Sequence, residues 1–132
     1  MSRRIQHGFT LVELMITVVI VSILLGIAVP SYRQYVIRSK RTAAQAVMMD
    51  IANHEQQFLL ANRAYADKAT LEANGYVVPA DVSDSYSWNV VPGTGASPSF
   101  AITFTATGGQ AADGALTLTS AGDKSPPEKW QK

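Results

Sequence analysis

Cysteine is absent from this 132-residue sequence, and neither sign of charge is in strong excess. The lack of cysteine excludes a disulfide framework, a CxxC redox motif and a thiolate metal site. A formal net charge of +1 at pH 7 is far from the basic excess of dedicated nucleic-acid-binding domains. The length suits one domain and excludes a second full domain.

Charge is almost missing from one long stretch near the N-terminus. Residues 9–29 contain a single charged residue, Glu13, and the segment before them carries Arg3 and Arg4. As a helix, this stretch would extend roughly 32 Å, enough to cross a hydrocarbon core of about 30 Å. A secretory signal peptide fits poorly because its apolar core is shorter, about 7 to 15 residues. A simple signal anchor fits the length but leaves Glu13 unexplained.

The positive charges around this stretch give a conflicting orientation. Two arginines precede it, whereas four basic residues follow it: Arg33, Arg38, Lys40 and Arg41. Counted alone, the positive-inside rule would place the C-terminal side in the cytoplasm. A more specific signal is needed to decide the orientation.

The hexapeptide Gly8-Phe9-Thr10-Leu11-Val12-Glu13 lies between the basic leader and the apolar run. It closely resembles the class III signal of type IV prepilins and pseudopilins. The resemblance implies that a membrane prepilin peptidase cuts between Gly8 and Phe9 on the cytoplasmic side and methylates the new amine of Phe9. It also implies that the apolar helix stays with the mature chain, with its N-terminus cytoplasmic before cleavage and the rest of the chain periplasmic.

The single acidic residue of the span, Glu13, is a functional candidate in its own right. A carboxylate at the centre of a bilayer costs about 2.5 to 3.5 kcal/mol on insertion scales. Phe9 and Glu13 are four residues apart, so on a helix they share a face, and cleavage after Gly8 would place a cationic amine about one turn away. The alternative is a glutamate at a helix start, favoured by the macrodipole and wetted by headgroups. The resemblance implies that Glu13 pairs with a neighbouring subunit's amine and sets the assembly register.

Gly26 and Pro30 lower helix propensity near the end of the span. Because proline cannot donate its amide and clashes with the carbonyl four residues back, we expect a kink or local unwinding between these residues. The alternative is a membrane helix that tolerates both residues. In pilin-like proteins a proline at this place accompanies a segment that bends or melts on filament packing, and the resemblance extends this role to Pro30.

The rest of the sequence predicts an α+β fold. Residues 31 to about 62 continue a helical pattern with an apolar stripe, formed by Ala44, Val47, Met48, Ile51, Phe58 and Leu59. A short helix is expected over 67–74, with Asp67 or Thr70 as cap and Gly75 as its end. Alternating apolar residues over 86–90, 100–104 and 116–118 predict three antiparallel strands that cover the apolar stripe.

Within the pilin class the body is most similar to the PilE-like minor pilins. The similarity rests on residues 39–46, 62–66 and 116–126, and so covers nearly the whole chain. Members of that group commonly close the C-terminal loop with a disulfide, and the resemblance places its cysteines near Asp113 and Lys129. We expect an Asp113–Lys129 ion pair to take the place of this bridge. An exposed ion pair contributes about 0 to 1 kcal/mol, against about 2 to 4 for a disulfide.

Catalytic and metal-binding patterns find no support, so neither an enzymatic activity nor a cofactor is expected. His7 and His54 form no HxxxH or HExxH pair, and no Ser-His-Asp set or phosphate-binding glycine loop is recognisable. The aspartates at 81 and 84, or at 113 and 123, could contribute to a calcium site. The favoured interpretation is that these aspartates lie in turns and are solvated.

The expected partners follow from the charge pattern and the resemblance. Cleavage would leave nine basic and ten acidic residues, so DNA ranks last as a partner of the basic cluster, after subunit interfaces and lipid headgroups. The resemblance implies contacts with other pilin subunits, the prepilin peptidase and an inner-membrane assembly platform.

The domain organisation is predicted as a leader over residues 1–8, a transmembrane and polymerisation helix over 9–30 and a globular head over 31–132. The predicted function is that of a minor or accessory pilin, made in the bacterial inner membrane and exported into a pilus that serves twitching, adhesion or DNA uptake. The alternatives are a type II secretion pseudopilin, which bound calcium would favour, and a monomeric membrane-anchored binding module.

Overall fold

The computed structural model describes residues 8–131, which begin with a long helix and end in a small sheet. Helix α1 comprises Leu11–Asn62 and is followed by the short helices α2, Lys68–Ala73, and α3, Ala80–Ser83. Four strands follow: β1, Tyr86–Pro92; β2, Phe100–Ala106; β3, Ala115–Thr119; and β4, Lys124–Ser125. Two 3₁₀ turns, Gly108–Asp113 and Pro127–Lys129, complete the chain. The predicted α+β class is confirmed.

The chain divides into two units, one ending at Val36 and one beginning at Ile37. In the first unit, residues 11–36 are helical and every residue from 8 to 35 is exposed. The second unit contains the rest of α1 and all the strands. We call this second unit the head.

The head contains one antiparallel sheet in the order β1-β2-β3-β4. Trp88 pairs with Phe104, which in turn pairs with Leu116, so the alternating apolar residues of three strands fall in register. Thr117 pairs with Ser125 of β4 at the edge. The sheet is therefore a meander with a single apolar face, as the alternation predicts.

The hydrophobic core forms between this apolar face and one stripe of α1. The helix contributes Ala44, Met48 and Ile51, all fully buried. The sheet contributes eight buried side chains: Tyr86, Val90, Phe100, Ile102, Phe104, Ala106, Leu116 and Leu118. Burying a large apolar side chain stabilises a fold by about 1.5 to 3 kcal/mol, so this core is the main support of the head.

The ends of the helices follow from their local sequence. Helix α1 ends at Asn62, and Arg63 adopts a left-handed conformation with φ of 59° while its N–H donates to the Leu59 carbonyl at 2.7 Å. Asp67 caps α2, because its carboxylate accepts from the Thr70 N–H at 2.8 Å. Gly75 follows α2 with φ of 88°. Each end satisfies backbone groups that a helix terminus leaves unpaired.

Candidate functional site

The first turn of α1 is a capping box built by Thr10 and Glu13. The Glu13 carboxylate accepts from the Thr10 N–H at 2.9 Å and from its hydroxyl at 3.0 Å. In return, the Thr10 hydroxyl oxygen accepts from the Glu13 N–H at 3.2 Å. This reciprocal pattern stabilises a helix start. In the single chain, Glu13 is therefore bonded to Thr10, and its pairing with the amine of another subunit remains a prediction.

The residues around the predicted cleavage point lie outside the helix. Gly8 and Phe9 precede α1, are exposed, and Phe9 has 87% of its surface accessible. An exposed, non-helical peptide bond is accessible to a peptidase. The rest of the predicted leader, with Arg3, Arg4 and His7, lies outside the described residues.

The apolar part of α1 has the length and composition of a membrane-crossing helix. Between residues 11 and 29 it carries one charged side chain, Glu13, and none of these residues is buried. Its hydroxyl groups are bonded to the helix itself: Thr17 donates to the Glu13 carbonyl and Ser22 to the Val18 carbonyl, both at 2.7 Å. Such bonds satisfy polar groups that would otherwise be costly in lipid.

Gly26 and Pro30 both lie within the helix, which is assigned without a break from Leu11 to Asn62. The structure therefore contains no local unwinding at these positions. The proline has no N–H, so the Gly26 carbonyl lacks its usual partner in the helix. A bend or melting on assembly remains a prediction for this segment.

At the other end of the chain, Asp113 is the centre of a polar cluster within the head. Its carboxylate forms a bidentate ion pair with Arg41, in which Arg41 Nε lies 3.0 Å from both oxygens. The Tyr86 hydroxyl donates to the same carboxylate at 2.8 Å. Gln110 donates to the Tyr86 oxygen at 3.0 Å and to the Ile37 carbonyl at 2.9 Å. The cluster joins α1 to the first 3₁₀ turn.

Lys129 contacts Asp113 differently from the sequence-based expectation. Its ammonium donates to the backbone carbonyl of Asp113, while the carboxylate binds Arg41 and Tyr86. Gln45 donates to the Lys129 carbonyl at 2.8 Å and so fixes the C-terminal turn to α1. The expected Asp113–Lys129 ion pair is therefore replaced by an Arg41–Asp113 pair, because the guanidinium offers two parallel donors to a buried carboxylate. That these contacts take the place of a disulfide remains a prediction.

Burial and hydrogen bonds change the pKa values of Asp113, Arg41 and Tyr86, and not all in the same direction. Burial alone would raise the pKa of Asp113, but hydrogen bonds from Arg41 and Tyr86 and the charges of Arg41 and Lys129 bring it below its ordinary value. The hydrogen bond to Asp113 raises the pKa of Arg41. Burial, aided by the bond to Asp113, raises the pKa of the Tyr86 phenol. The cluster therefore contains a carboxylate and a guanidinium at neutral pH.

Glu55 is a buried acid that the sequence analysis passed over. Its side chain is fully buried, and Oε2 accepts from the Ala66 N–H at 2.9 Å. Within the described residues, Oε1 has no hydrogen-bond partner. Burial raises the pKa of this carboxyl, the Ala66 N–H opposes the rise, and the charge of Asp67 adds to it. The position four residues after Ile51, within the apolar stripe, is the signal that would have revealed its burial.

The basic residues after the span do not act as one cluster. Arg33, Arg38 and Lys40 are exposed, whereas Arg41 is half-buried and paired with Asp113.

In the head, Arg63 is exposed beside the loop between β1 and β2, where residues 63–65 and 92–99 enclose a small cleft of about 170 Å³.

Lys68 of α2 and Trp88 of β1 form a cation–aromatic pair. The Lys68 ammonium lies 4.9 Å from the centre of the Trp88 ring and 3.7 Å from the Glu72 carboxylate. Lys68 also lines a groove of about 500 Å³ between α2 and β1, which reaches Pro92. A second pair, Lys124 over Trp130 at 5.3 Å, lies at the other edge of the sheet.

The acidic residues weighed as calcium ligands are dispersed. Within residues 8–131, no group of three or more His, Asp or Glu side chains is arranged to hold a metal ion. The Asp113 carboxylate binds Arg41, and Asp123 accepts weakly from Thr119 at 3.4 Å.

Two families match the sequence, and together they cover most of it. Residues 30–119 match the family described as "Type IV minor pilin ComP, DNA uptake sequence receptor". Residues 3–29 match the "Prokaryotic N-terminal methylation motif". This second match contains the Gly8–Glu13 motif, the capping box and the apolar part of α1 described above.

Individual relatives are fimbrial proteins. The chain is 34% identical over 93 residues to the fimbrial protein EcpC of Eikenella corrodens, which covers 69% of this chain and 57% of the relative. It is 35% identical over 71 residues to a fimbrial protein of Pseudomonas aeruginosa, covering 54% and 46%. It is 37% identical over 68 residues to the type IV major fimbrial protein FimA of Dichelobacter nodosus, covering 43% and 42%.

The chain thus spans about half the length of these relatives. No solved structure matches the chain significantly. The family is one of structural subunits, not of enzymes. With its N-terminal methylation motif and its four-stranded head, the chain belongs to the type IV pilin family.

Proposed function

We propose that this chain is a minor pilin that is cut after Gly8, methylated at Phe9 and assembled into a type IV pilus through the apolar part of α1. The observation that carries the proposal is the exposure of that helix: none of the apolar residues between positions 8 and 35 is buried or half-buried. Such a surface needs lipid before assembly and neighbouring helices afterwards. The inner membrane and the filament supply these two environments.

Two findings favour this proposal over its rivals. The ComP family match points to a pilus rather than to a secretion pseudopilin, and the fimbrial relatives point the same way. A monomeric membrane-anchored module would not explain the presence of the methylation motif. The prepilin peptidase and the assembly platform are the partners that this proposal requires.

The minor role is tested by counting subunits in purified filaments. Filaments are sheared from cells, and the ratio of this chain to the most abundant pilin is measured by quantitative mass spectrometry with isotope-labelled peptides. We expect this chain at a few per cent of the major pilin or less. A ratio near or above one would make it the major pilin, and its absence from filaments would contradict assembly altogether.

We propose DNA as a second partner, bound by the head at the β1–β2 loop. The net charge placed DNA last among the expected partners, but the ComP description of the matched family names a receptor of DNA. Arg63 lines a cleft with the loop over residues 93–99, which contains two glycines and three hydroxyl side chains. Lys68 lines the neighbouring groove, which reaches Pro92 at the end of β1. Small residues allow the DNA backbone to approach closely, and cations and hydroxyls bind phosphates.

The binding test compares two variants of equal charge change. Arg63→Asn removes one cation and suits the left-handed backbone, and Lys68→Gln removes the other. Lys124→Gln, at the other sheet edge, is the control. We expect Arg63→Asn and Lys68→Gln each to bind a fluorescent 30-base-pair duplex at least threefold more weakly than Lys124→Gln, with a salt slope lower by about 0.9 for the lost phosphate contact. Equal affinities and slopes for all three proteins would contradict this location.

A further inference from the structure

A groove on the side of the head has the chemical character of a binding site for a small neutral ligand. It lies between the last turns of α1 and the segment from Leu71 to Val77 and encloses about 610 Å³. Ligand pockets in proteins commonly have volumes of about 300 to 1,000 Å³. All its lining residues belong to the head.

The rim of this groove is formed by uncharged polar side chains. Gln57, Asn62 and Asn74 contribute three exposed carboxamides, and none of the groove's lining residues is Asp, Glu, Lys or Arg. Asn62 and Asn74 each use their NH₂ group to cap a helix, donating to the Phe58 carbonyl at 3.2 Å and the Thr70 carbonyl at 2.7 Å. These bonds fix the two amides, and within the described residues their side-chain oxygens accept no hydrogen bond.

The floor of the groove is apolar and includes a fixed aromatic ring. Phe58 is half-buried and Leu71 is buried. The Tyr76 ring is held by its hydroxyl, which donates to Asp50 at 2.9 Å, and by edge contacts with His54 at 4.8 Å and Trp88 at 6.0 Å between ring centres. A ring held from three sides presents its surface without a further loss of freedom on binding.

We propose that this groove binds one unit of an uncharged saccharide. A carboxamide both donates and accepts hydrogen bonds, which matches the paired donor and acceptor character of sugar hydroxyls. The apolar floor and the aromatic ring suit the C–H faces of a sugar ring. Apart from His54, no Asp, Glu, Lys, Arg or His residue among those the structure describes lines the groove, which disfavours phosphate, carboxylate and ammonium ligands and makes this site chemically distinct from the DNA surface around Arg63 and Lys68.

The proposal is tested on the full chain, cleaved to begin at Phe9 and held in micelles of dodecylphosphocholine, a detergent without a sugar headgroup. The probes are glucose, galactose, mannose and N-acetylglucosamine, each titrated to 50 mM. Two-dimensional NMR follows the side-chain amide signals of Gln57, Asn62 and Asn74. We expect saturable shifts of these signals with at least one of the four probes.

Two variants on adjacent positions distinguish binding in the groove from binding elsewhere. Ala61 lines the groove and is exposed, so Ala61→Trp fills it from one wall. Leu60 is 86% exposed and does not line the groove, so Leu60→Trp is the matched control. We expect Ala61→Trp to weaken binding at least tenfold and Leu60→Trp to leave it within twofold, with both variants keeping the melting temperature of the parent.

A third variant tests the role of the amides directly. Gln57→Ala removes one carboxamide from an exposed helix position and should weaken binding at least threefold without altering the fold. The proposal is overturned if none of the probes shifts the three amide signals, or if Ala61→Trp and Leu60→Trp bind equally. It is also overturned if the groove signals move with protein concentration alone, because the occupant is then a second copy of the chain.

Discussion

Arg41 and Asp113 form a bidentate ion pair across 72 residues of sequence, between the middle of α1 and the first 3₁₀ turn. The pair sits beside the bond from Lys129 to the Asp113 carbonyl, so three distant parts of the chain meet at one residue. The Asp113 side chain is 2% exposed and that of Arg41 is 22% exposed. Loss of either partner would leave a largely desolvated charge without compensation.

We expect Asp113→Ala to lower the free energy of unfolding of the head by about 3 kcal/mol, because it leaves the Arg41 guanidinium and the Tyr86 hydroxyl without their acceptor. Chemical denaturation of the full chain in micelles measures the change. The control is Asp123→Ala, an exposed position where we expect a change of about 0.5 kcal/mol or less. Equal effects of the two substitutions would contradict the central role of the cluster.

The stability of the head should fall in acid because of Asp113. Its folded-state pKa lies below the ordinary value, so the carboxylate stabilises the fold above the unfolded-state pKa of about 4. This contribution is lost as the pH falls from about 4 through the lowered folded-state pKa. The test compares the melting temperatures of the parent and of Asp113→Asn between pH 5 and pH 2. We expect the melting temperature to fall further in the parent than in the variant. An equal fall in both proteins would show that other groups are responsible.

Glu55 should have the opposite pH dependence. Burial raises its folded-state pKa above that of the unfolded chain, so the folded state binds the proton more tightly. Stability from this group is greatest below the unfolded-state pKa of about 4.3 and declines as the pH rises through the folded-state pKa. We expect Glu55→Gln to remove this decline and to raise the melting temperature at pH 7. A lower melting temperature at pH 7 would mean that the ionised form stabilises the head.

Glu13→Gln distinguishes helix capping by Glu13 from the predicted charge pairing between subunits. Glutamine serves at the third position of a capping box, so the start of α1 should be retained while the negative charge is lost. If charge pairing between subunits sets the register, cells carrying Glu13→Gln will insert and cleave the chain normally but incorporate at least tenfold less of it into sheared filaments. Incorporation at the parental level would show that capping alone accounts for Glu13.

Periodicity in the sequence predicted the elements that rely on local pattern. The alternation of Tyr86, Trp88 and Val90 gave β1, and the steps between Ala44, Met48 and Ile51 gave the buried stripe of α1. The sequence also offered Asp67 or Thr70 as the cap of α2 and Gly75 as its end, and the structure uses Asp67 and Gly75.

The missed features depend on contacts between distant residues. The two-residue strand β4 is too short to have a period, and it exists because Thr117 and Leu118 offer it an edge. The 3₁₀ turn at 108–113 begins with a glycine pair that predicts only a bend. The Asp113 carboxylate binds Arg41 and not Lys129. This could not be predicted from the sequence, because the sequence does not show which face of α1 meets the turn. The candidate sites of the N-terminus, in contrast, are contiguous in sequence, so they could be predicted from it, and their roles remain predictions.

The most direct test of the pilin account is the mass of the N-terminal peptide of this chain, isolated from membranes and from sheared filaments of cells with and without their prepilin peptidase. We predict a filament peptide that begins at methylated Phe9 and disappears when the peptidase is removed. A chain that keeps its leader in peptidase-positive cells would contradict processing and assembly and would leave an anchored module. A chain that begins near Ser31 would show that the apolar span is a signal peptide.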